Sequence, residues 1–191
     1  MQEIPSRYIR VSEILARLQN FDHIDINVLE AKQLLGINVH EAISMSIKDD
    51  FPCISRKELG YFNSFQKWRK ATNPVFTLSE TRFYDEDLMI TGQVDALVNF
   101  PNDSKNVLID FKTSVSESPL IWPMQGHFYH YLLLKNNLPE IAERFLFIKL
   151  DKNGEMPKVF EYRYDENTMN RCKHEAKIYR EELKCRQQLS V

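Results

Sequence analysis

The chain has 191 residues, 43% hydrophobic and 27% charged, with a net charge of −2 at pH 7. That is ordinary for a soluble globular protein and long enough for a core of its own, so one domain spanning 1–191 is expected. The near-neutral charge argues mildly against a passive DNA-coating module, but not against an enzyme whose groove alone is basic. No apolar run approaches the roughly 18 residues of a membrane span, and Met1–Pro5 shows no signal-peptide pattern. Three cysteines, Cys53, Cys172 and Cys185, are few and odd in number. They suit the cytoplasm or another reducing compartment better than a disulfide scaffold.

The periodicity predicts helices and strands in an α/β order. Ser6 to Asn20 reads as a short helix with its approach. Asn27 to about Lys48 is helical, with Leu34, Leu35, Val39, Ala42, Ile43 and Ile47 at helical spacing. Gly36 interrupts it one turn before His40; a missing side chain there either lets another element approach closely or marks a helix break. Arg56 to Ala71 is a second helix, with Leu59, Phe62, Phe65 and Trp68 as core positions. Lys67, Arg69 and Lys70 beside them form a solvated face or touch a DNA backbone.

Three strands follow, Val75 to Tyr84, Leu88 to Phe100 and Val107 to Thr113. Polar turns at Asp85–Asp87 and Pro101–Ser104 make them an antiparallel meander. Pro123 opens a helix from Met124 to about Lys135. Arg144 to Leu150 and Lys158 to Tyr164 are two more strands, with a hairpin signal at Asp151-Lys152-Asn153-Gly154 between them. A helix from about Glu166 to Gln188 ends the chain, its basic and acidic residues nearly balanced.

Within these strands lie Gly92-Gln93-Val94-Asp95 and Leu108-Ile109-Asp110-Phe111-Lys112-Thr113. Side chains at i and i+2 share a strand face, so Asp110 and Lys112 point one way while Val107, Ile109 and Phe111 point the other. The first face is read as polar, and Asp95 on the preceding strand comes alongside it. Two carboxylates and a lysine in one patch suit a divalent metal and an activated water. His40 sits late in its helix, Glu80 ends the run Pro74–Glu80, and Gln125 and Tyr129 lie one helical turn apart. His127 and His130 flank Tyr129 off that face and read as structural or exposed. No Ser/His/Asp triad or zinc-type spacing is present, and five glycines leave little material for a phosphate-cradling loop.

The order His, Glu, Asp, Asp-x-Lys, Gln-x-x-x-Tyr resembles the PD-(D/E)XK nuclease superfamily, specifically its RecB-like and lambda-exonuclease-like branch. The resemblance runs from about Tyr8 to Leu134, and the "PD" of the superfamily name is Val94-Asp95 here. It implies a restriction-endonuclease-like core, a central mixed sheet of about five strands flanked by helices. It further implies a metal-dependent DNA nuclease, more an exonuclease of recombination, repair or phage DNA processing than an endonuclease. A structure-specific or single-strand endonuclease, and a catalytically idle DNA-binding subunit of the same fold, remain alternatives. Asp95, Asp110, Lys112, Gln125 and Tyr129 would be the catalytic set. Metal ligands would be His40, Asp95, Asp110 and the Phe111 backbone carbonyl, with Glu80 a further ligand or a support for one. Lys112 would hold the attacking water in line or accept its proton. Mg2+ or Mn2+ is the expected cofactor, the His40 nitrogen favouring manganese. No iron–sulfur cluster is expected from three unclustered cysteines. DNA is the expected partner, with no membrane; a recombination or annealing protein as partner, and the oligomeric state, stay open.

Overall fold

A computed structural model describes residues 4–5, 7–19, 24–138 and 140–189. In chain order these form β1 (Ile9–Arg10), α1 (Val11–Ala16), α2 (Ile26–Ile47), α3 (Leu59–Thr72), β2 (Val75–Asp85) and β3 (Ile90–Asn99). They continue through β4 (Asn106–Lys112), α4 (Ile121–Lys135), β5 (Ile141–Lys149), β6 (Lys158–Arg163) and α5 (Glu166–Leu189). The six strands make one mixed sheet in the order β1-β3-β4-β5-β6, with β2 on the other edge of β3. β2, β3 and β4 form the expected antiparallel meander. The parallel β4–β5 pair is joined through α4, since parallel neighbours need a crossover.

Helices cover both faces. On one side α1, α4 and α5 bring Ile14, Leu15, Phe128, Leu132 and Met169 against Leu108, Phe145 and Phe147. On the other, α2 and α3 bring Val39, Ile43, Phe65 and Trp68 against Val107, Ile109 and Phe111. β4 thus alternates as its period of two requires. The Phe111 ring meets Phe65 at 5.3 Å and Trp68 at 5.7 Å between centroids, both edge-on. Each such pair contributes about 0.5–1.5 kcal/mol beyond its buried area, which anchors the strand that carries Asp110 and Lys112.

Several expectations change. The first predicted helix is shorter, because Ile9–Arg10 pairs in parallel with Ile90–Thr91 as the sixth strand; its outer bounds, Ser6 and Asn20, fall outside the described residues. α4 starts at Ile121, so Pro123 sits inside the first turn, where its missing N–H leaves no helical bond unmade. β5 begins three residues early, at Ile141. Leu34 is 59% exposed rather than core, as are Ile26 and Ile37, because the first turns of α2 run clear of the sheet. α2 is continuous through Gly36, whose missing side chain faces Thr113 Oγ1; an added Cβ would lie 3.4 Å from it. Gly36 is therefore no helix break, and a methyl group there would meet Thr113 in ordinary contact. The hairpin turn holds: Gly154 takes φ +82°, and the Asp151 carboxylate accepts from Asn153 N–H at 2.8 Å. Among the described residues no helix is long and apolar enough to cross a membrane. The three cysteines are free, Cys172 buried.

Gly126 lets α4 lie directly on β5. A Cβ there would stand 2.3 Å from the Phe145 ring, which is fully buried and cannot swing away. Gly126→Val should therefore cost about 1–3 kcal/mol by overpacking, seen as a lower midpoint in urea unfolding. An unchanged midpoint would mean that α4 and β5 are not in this contact.

Candidate active site

The site forms where two strands part. β3 and β4 pair only as far as Ala96↔Ile109. Beyond that β4 continues beside β5, with Asp110 opposite Phe147 and Lys112 opposite Lys149. On that edge the start of β3 pairs instead with β1, while β2 pairs along the whole of its other edge. At the fork the Phe111 N–H donates to Asp95 Oδ2 at 2.7 Å, a side-chain acceptor taking the place of a strand carbonyl. This ties the first acid to the second strand.

Asp95 Oδ1 faces His40 Nδ1 at 3.3 Å, and Glu80 Oε1 lies 3.5 Å from the same nitrogen. One ligand atom from each of His40, Glu80 and Asp95 lies within 4.8 Å of the others, a group able to hold a divalent metal ion. Glu80 does not end its strand. It sits within β2 between Ser79↔Ala96 and Thr81↔Val94, hence opposite Asp95. Its φ of 44° is left-handed, a region that non-glycine residues occupy at a cost of about 1–3 kcal/mol. The Gln93 amide, which the sequence reading did not single out, donates to Glu80 Oε2 and accepts from Arg82 Nη2 at 2.7 Å. No motif spacing marked either Gln93 or Arg82; cross-strand register is what joins them.

Asp110, Lys112, Gln125 and Tyr129 form a second, continuous chain. Lys112 Nζ stands 2.6 Å from Asp110 Oδ2 and donates to Gln125 Oε1 at 2.8 Å. The Gln125 amide donates in turn to Asp110 Oδ1 at 2.9 Å and to the Tyr129 hydroxyl at 3.1 Å. Lys112 Nζ also sits 5.2 Å above the Phe147 ring. The face expected to be polar is not open to water: α4 covers it, and Asp110 is 2% exposed. Its Oδ2 is buried and has Lys112 Nζ as its polar neighbour among the described residues.

The charges pull against one another. Burial would lower the His40 pKa, but the Asp95 and Glu80 carboxylates outweigh it and hold the ring well above the usual histidine range. Burial would raise Asp95; His40, Lys112 and the Phe111 N–H together keep it below the usual carboxylate range. Asp110 goes the other way. Burial, with Asp95 adding to it, pushes it up to about 7 against the pull of Lys112. Burial and then the Asp110 and Asp95 charges raise the Tyr129 phenol, so it stays protonated. A buried acid whose second oxygen meets a lysine, beside an imidazole and two further carboxylates, suits a hard cation with oxygen and nitrogen ligands.

The other expected residues are less joined to this centre. Phe111 enters through its backbone N–H. Lys67 pairs with Glu155 at 3.0 Å. Arg69 donates to the Ser46 carbonyl at 3.0 Å and lies 5.6 Å over the Phe76 ring, so it binds α3 to α2 and β2. Lys70 is exposed. His127 and His130 are buried on α4; His127 Nε2 accepts from the Asp165 N–H at 2.9 Å, which secures the start of α5.

No protein-family model matches the chain, and no curated protein matches it in sequence. Among solved structures, it is similar to the alkaline exonuclease LHK-Exo from Laribacter hongkongensis, with a TM-score of 0.55 at 10% identity over 96% of this chain and 91% of that one. The same exonuclease in complex with dAMP aligns with a TM-score of 0.54 over the same shares. At that identity the likeness is one of fold: a mixed sheet flanked by helices.

Proposed function

We propose that this chain is a metal-dependent deoxyribonuclease that hydrolyses phosphodiester bonds, acting as an exonuclease, with its site residues on one domain. The observation that carries this is the meeting at the β3–β4 fork of the His40–Glu80–Asp95 group with the Asp110–Lys112–Gln125–Tyr129 chain. The similarity to an exonuclease known also in complex with dAMP supports the reading.

His40, Asp95, Asp110 and the Phe111 carbonyl would hold Mg2+ or Mn2+, with Glu80 as a further ligand. When bound, that cation supplies Lewis acidity toward a phosphate oxygen and toward water. The chain's own residues do the rest. Gln125 fixes Lys112 through its carbonyl and Asp110 through its amide, so the acid and the lysine keep one relative position. Tyr129, a neutral phenol, accepts from the same amide and prevents it from turning. Lys112 then presents its ammonium to the attacking water or to a phosphate oxygen. Held in place rather than searching for it, the group supplies charge where the transition state gains it.

Lys112→Ala should leave the melting temperature within a few degrees of the parent and lower kcat by about 10²-fold or more. A folded variant with unchanged turnover would remove lysine from the chemistry. His40→Ala should raise the metal concentration needed for half-maximal rate and reduce any manganese advantage over magnesium; superimposed titration curves would make His40 an ordinary helix residue. Linear DNA should be degraded while covalently closed circles of the same sequence survive. Circles cut as fast as linear DNA would replace the exonuclease by an endonuclease.

The metal reading has a test independent of turnover. With chelator present, Asp110 binds its proton in the folded state up to about pH 7, whereas unfolded it ionises near 3.8. Stability must then fall as pH rises across that window, the unfolded chain binding fewer protons there. Asp110→Asn cannot ionise, so its melting temperature should gain on the parent's from about pH 4 to 7. Added Mn2+ should reverse the order at pH 8, stabilising the parent more. Parallel curves with and without metal would place the cation elsewhere.

A further inference from the structure

β2 and β3 place four polar side chains in a square. Glu80 and Arg82 are two apart on β2, Gln93 and Asp95 two apart on β3, and Arg82 pairs directly with Gln93. Glu80 and Asp95 belong to the metal-holding group. Arg82 does not. Its Nη2 donates to the uncharged Gln93 Oε1 at 2.7 Å, and among the described residues no carboxylate stands within ion-pair distance of it. Arginines beside acids normally find one. Here Gln93 holds both, its amide nitrogen on Glu80 and its amide oxygen on Arg82. The glutamine thus keeps the two charges from neutralising each other. Five donors sit on a guanidinium, so several remain unpaired on a half-buried side chain.

We propose that Arg82 receives the substrate's phosphodiester phosphate, and that Gln93 positions it for that contact while holding Glu80 for the metal. The inference rests on the nuclease reading above. Charge supports it. With a divalent cation bound, three carboxylates (Glu80, Asp95, Asp110) face that cation, Lys112 and Arg82, which leaves one positive charge. A phosphodiester carries one negative charge, and so the occupied site is neutral. Without Arg82 the site would already be neutral before the substrate arrived. Arginine also suits the task geometrically, since its planar fork matches two phosphate oxygens. Its charge reaches Tyr129 as well, opposing the rise in that phenol's pKa.

The test uses Arg82→Ala, Arg82→Lys and Gln93→Glu in the full chain. The probes are a single-stranded DNA oligonucleotide, bound in chelator and hydrolysed in Mg2+, and Mn2+ alone. Arg82→Ala should raise KM about tenfold or more, the scale of one lost charge-assisted hydrogen bond, with kcat within about threefold. Metal-free affinity for the oligonucleotide should fall by a similar factor, and Arg82→Lys should recover part of both. Mn2+ should bind Arg82→Ala more tightly, because a neighbouring positive charge is gone. Gln93→Glu keeps Arg82 but pairs it with a carboxylate, so oligonucleotide affinity should fall there too. A residue that only supported the strands would weaken metal and oligonucleotide alike when removed. Loss of both together therefore overturns the assignment, as does an unchanged KM in an active Arg82→Ala. The penalty should be equal on 5′-phosphorylated and 5′-hydroxyl oligonucleotides; one confined to the phosphorylated form overturns the assignment in favour of terminal-phosphate recognition. A parent that neither binds nor cleaves the oligonucleotide overturns the nuclease reading, and Arg82 with it.

Discussion

One carboxylate holds the site together. Asp95 accepts the Phe111 N–H on one oxygen and faces His40 with the other. The first contact closes the gap where β3 and β4 separate; the second draws α2 onto the sheet. Because the acid is 8% exposed, both contacts act in a low-dielectric setting where they are strong. If the carboxylate were lost, the fork would lose its acceptor and α2 its polar anchor, and the His40 ring would keep only Glu80 as an acid partner.

The centre departs from local preference in ways the rest of the fold does not. Glu80 occupies a left-handed conformation within a strand, Asp110 is a buried acid pressed against Lys112, and Arg82 has no acid partner among the described residues. Such violations gather where structure serves chemistry. They persist because the surroundings over-determine them. Phe65, Trp68 and Phe111 lock one face of β4, and Phe147 stacks with Trp122 at 5.5 Å on the other. The rigid layers fix the backbone, so that the strained side chains have nowhere easier to go.

Much of this was legible in the sequence because strand periodicity is short-range. The alternation Val107, Ile109, Phe111 against Asp110 and Lys112 follows from a period of two, and Gln125 with Tyr129 from one helical turn. Five of the six strands carry apolar runs that announce them. β1 does not: two residues leave no period to read, and only Ile90–Thr91 makes them a strand. The burial of Asp110 was likewise hidden, since an Asp-x-Lys triplet says nothing about which helix covers it. Arg82 and Gln93 were missed for a related reason. Eleven positions separate them, and the β2–β3 register, not the chain, brings them into contact. Lys67 and Arg69 show the same limit from the other side. Their charge left a solvated face and a DNA contact both open, and the sequence showed neither the Glu155 pairing of Lys67 nor the Ser46 bond of Arg69.

The claim on which everything else rests is that His40, Glu80, Asp95 and Asp110 surround one cation. Anomalous diffraction from crystals grown with Mn2+ tests it most directly. The peak should lie at coordination distance, about 2 Å, from His40 and Asp95, with Asp110 Oδ2 turned from Lys112 toward the ion. A peak elsewhere, or an occupied site with Asp110 still paired only to Lys112, would contradict a shared metal centre at the fork.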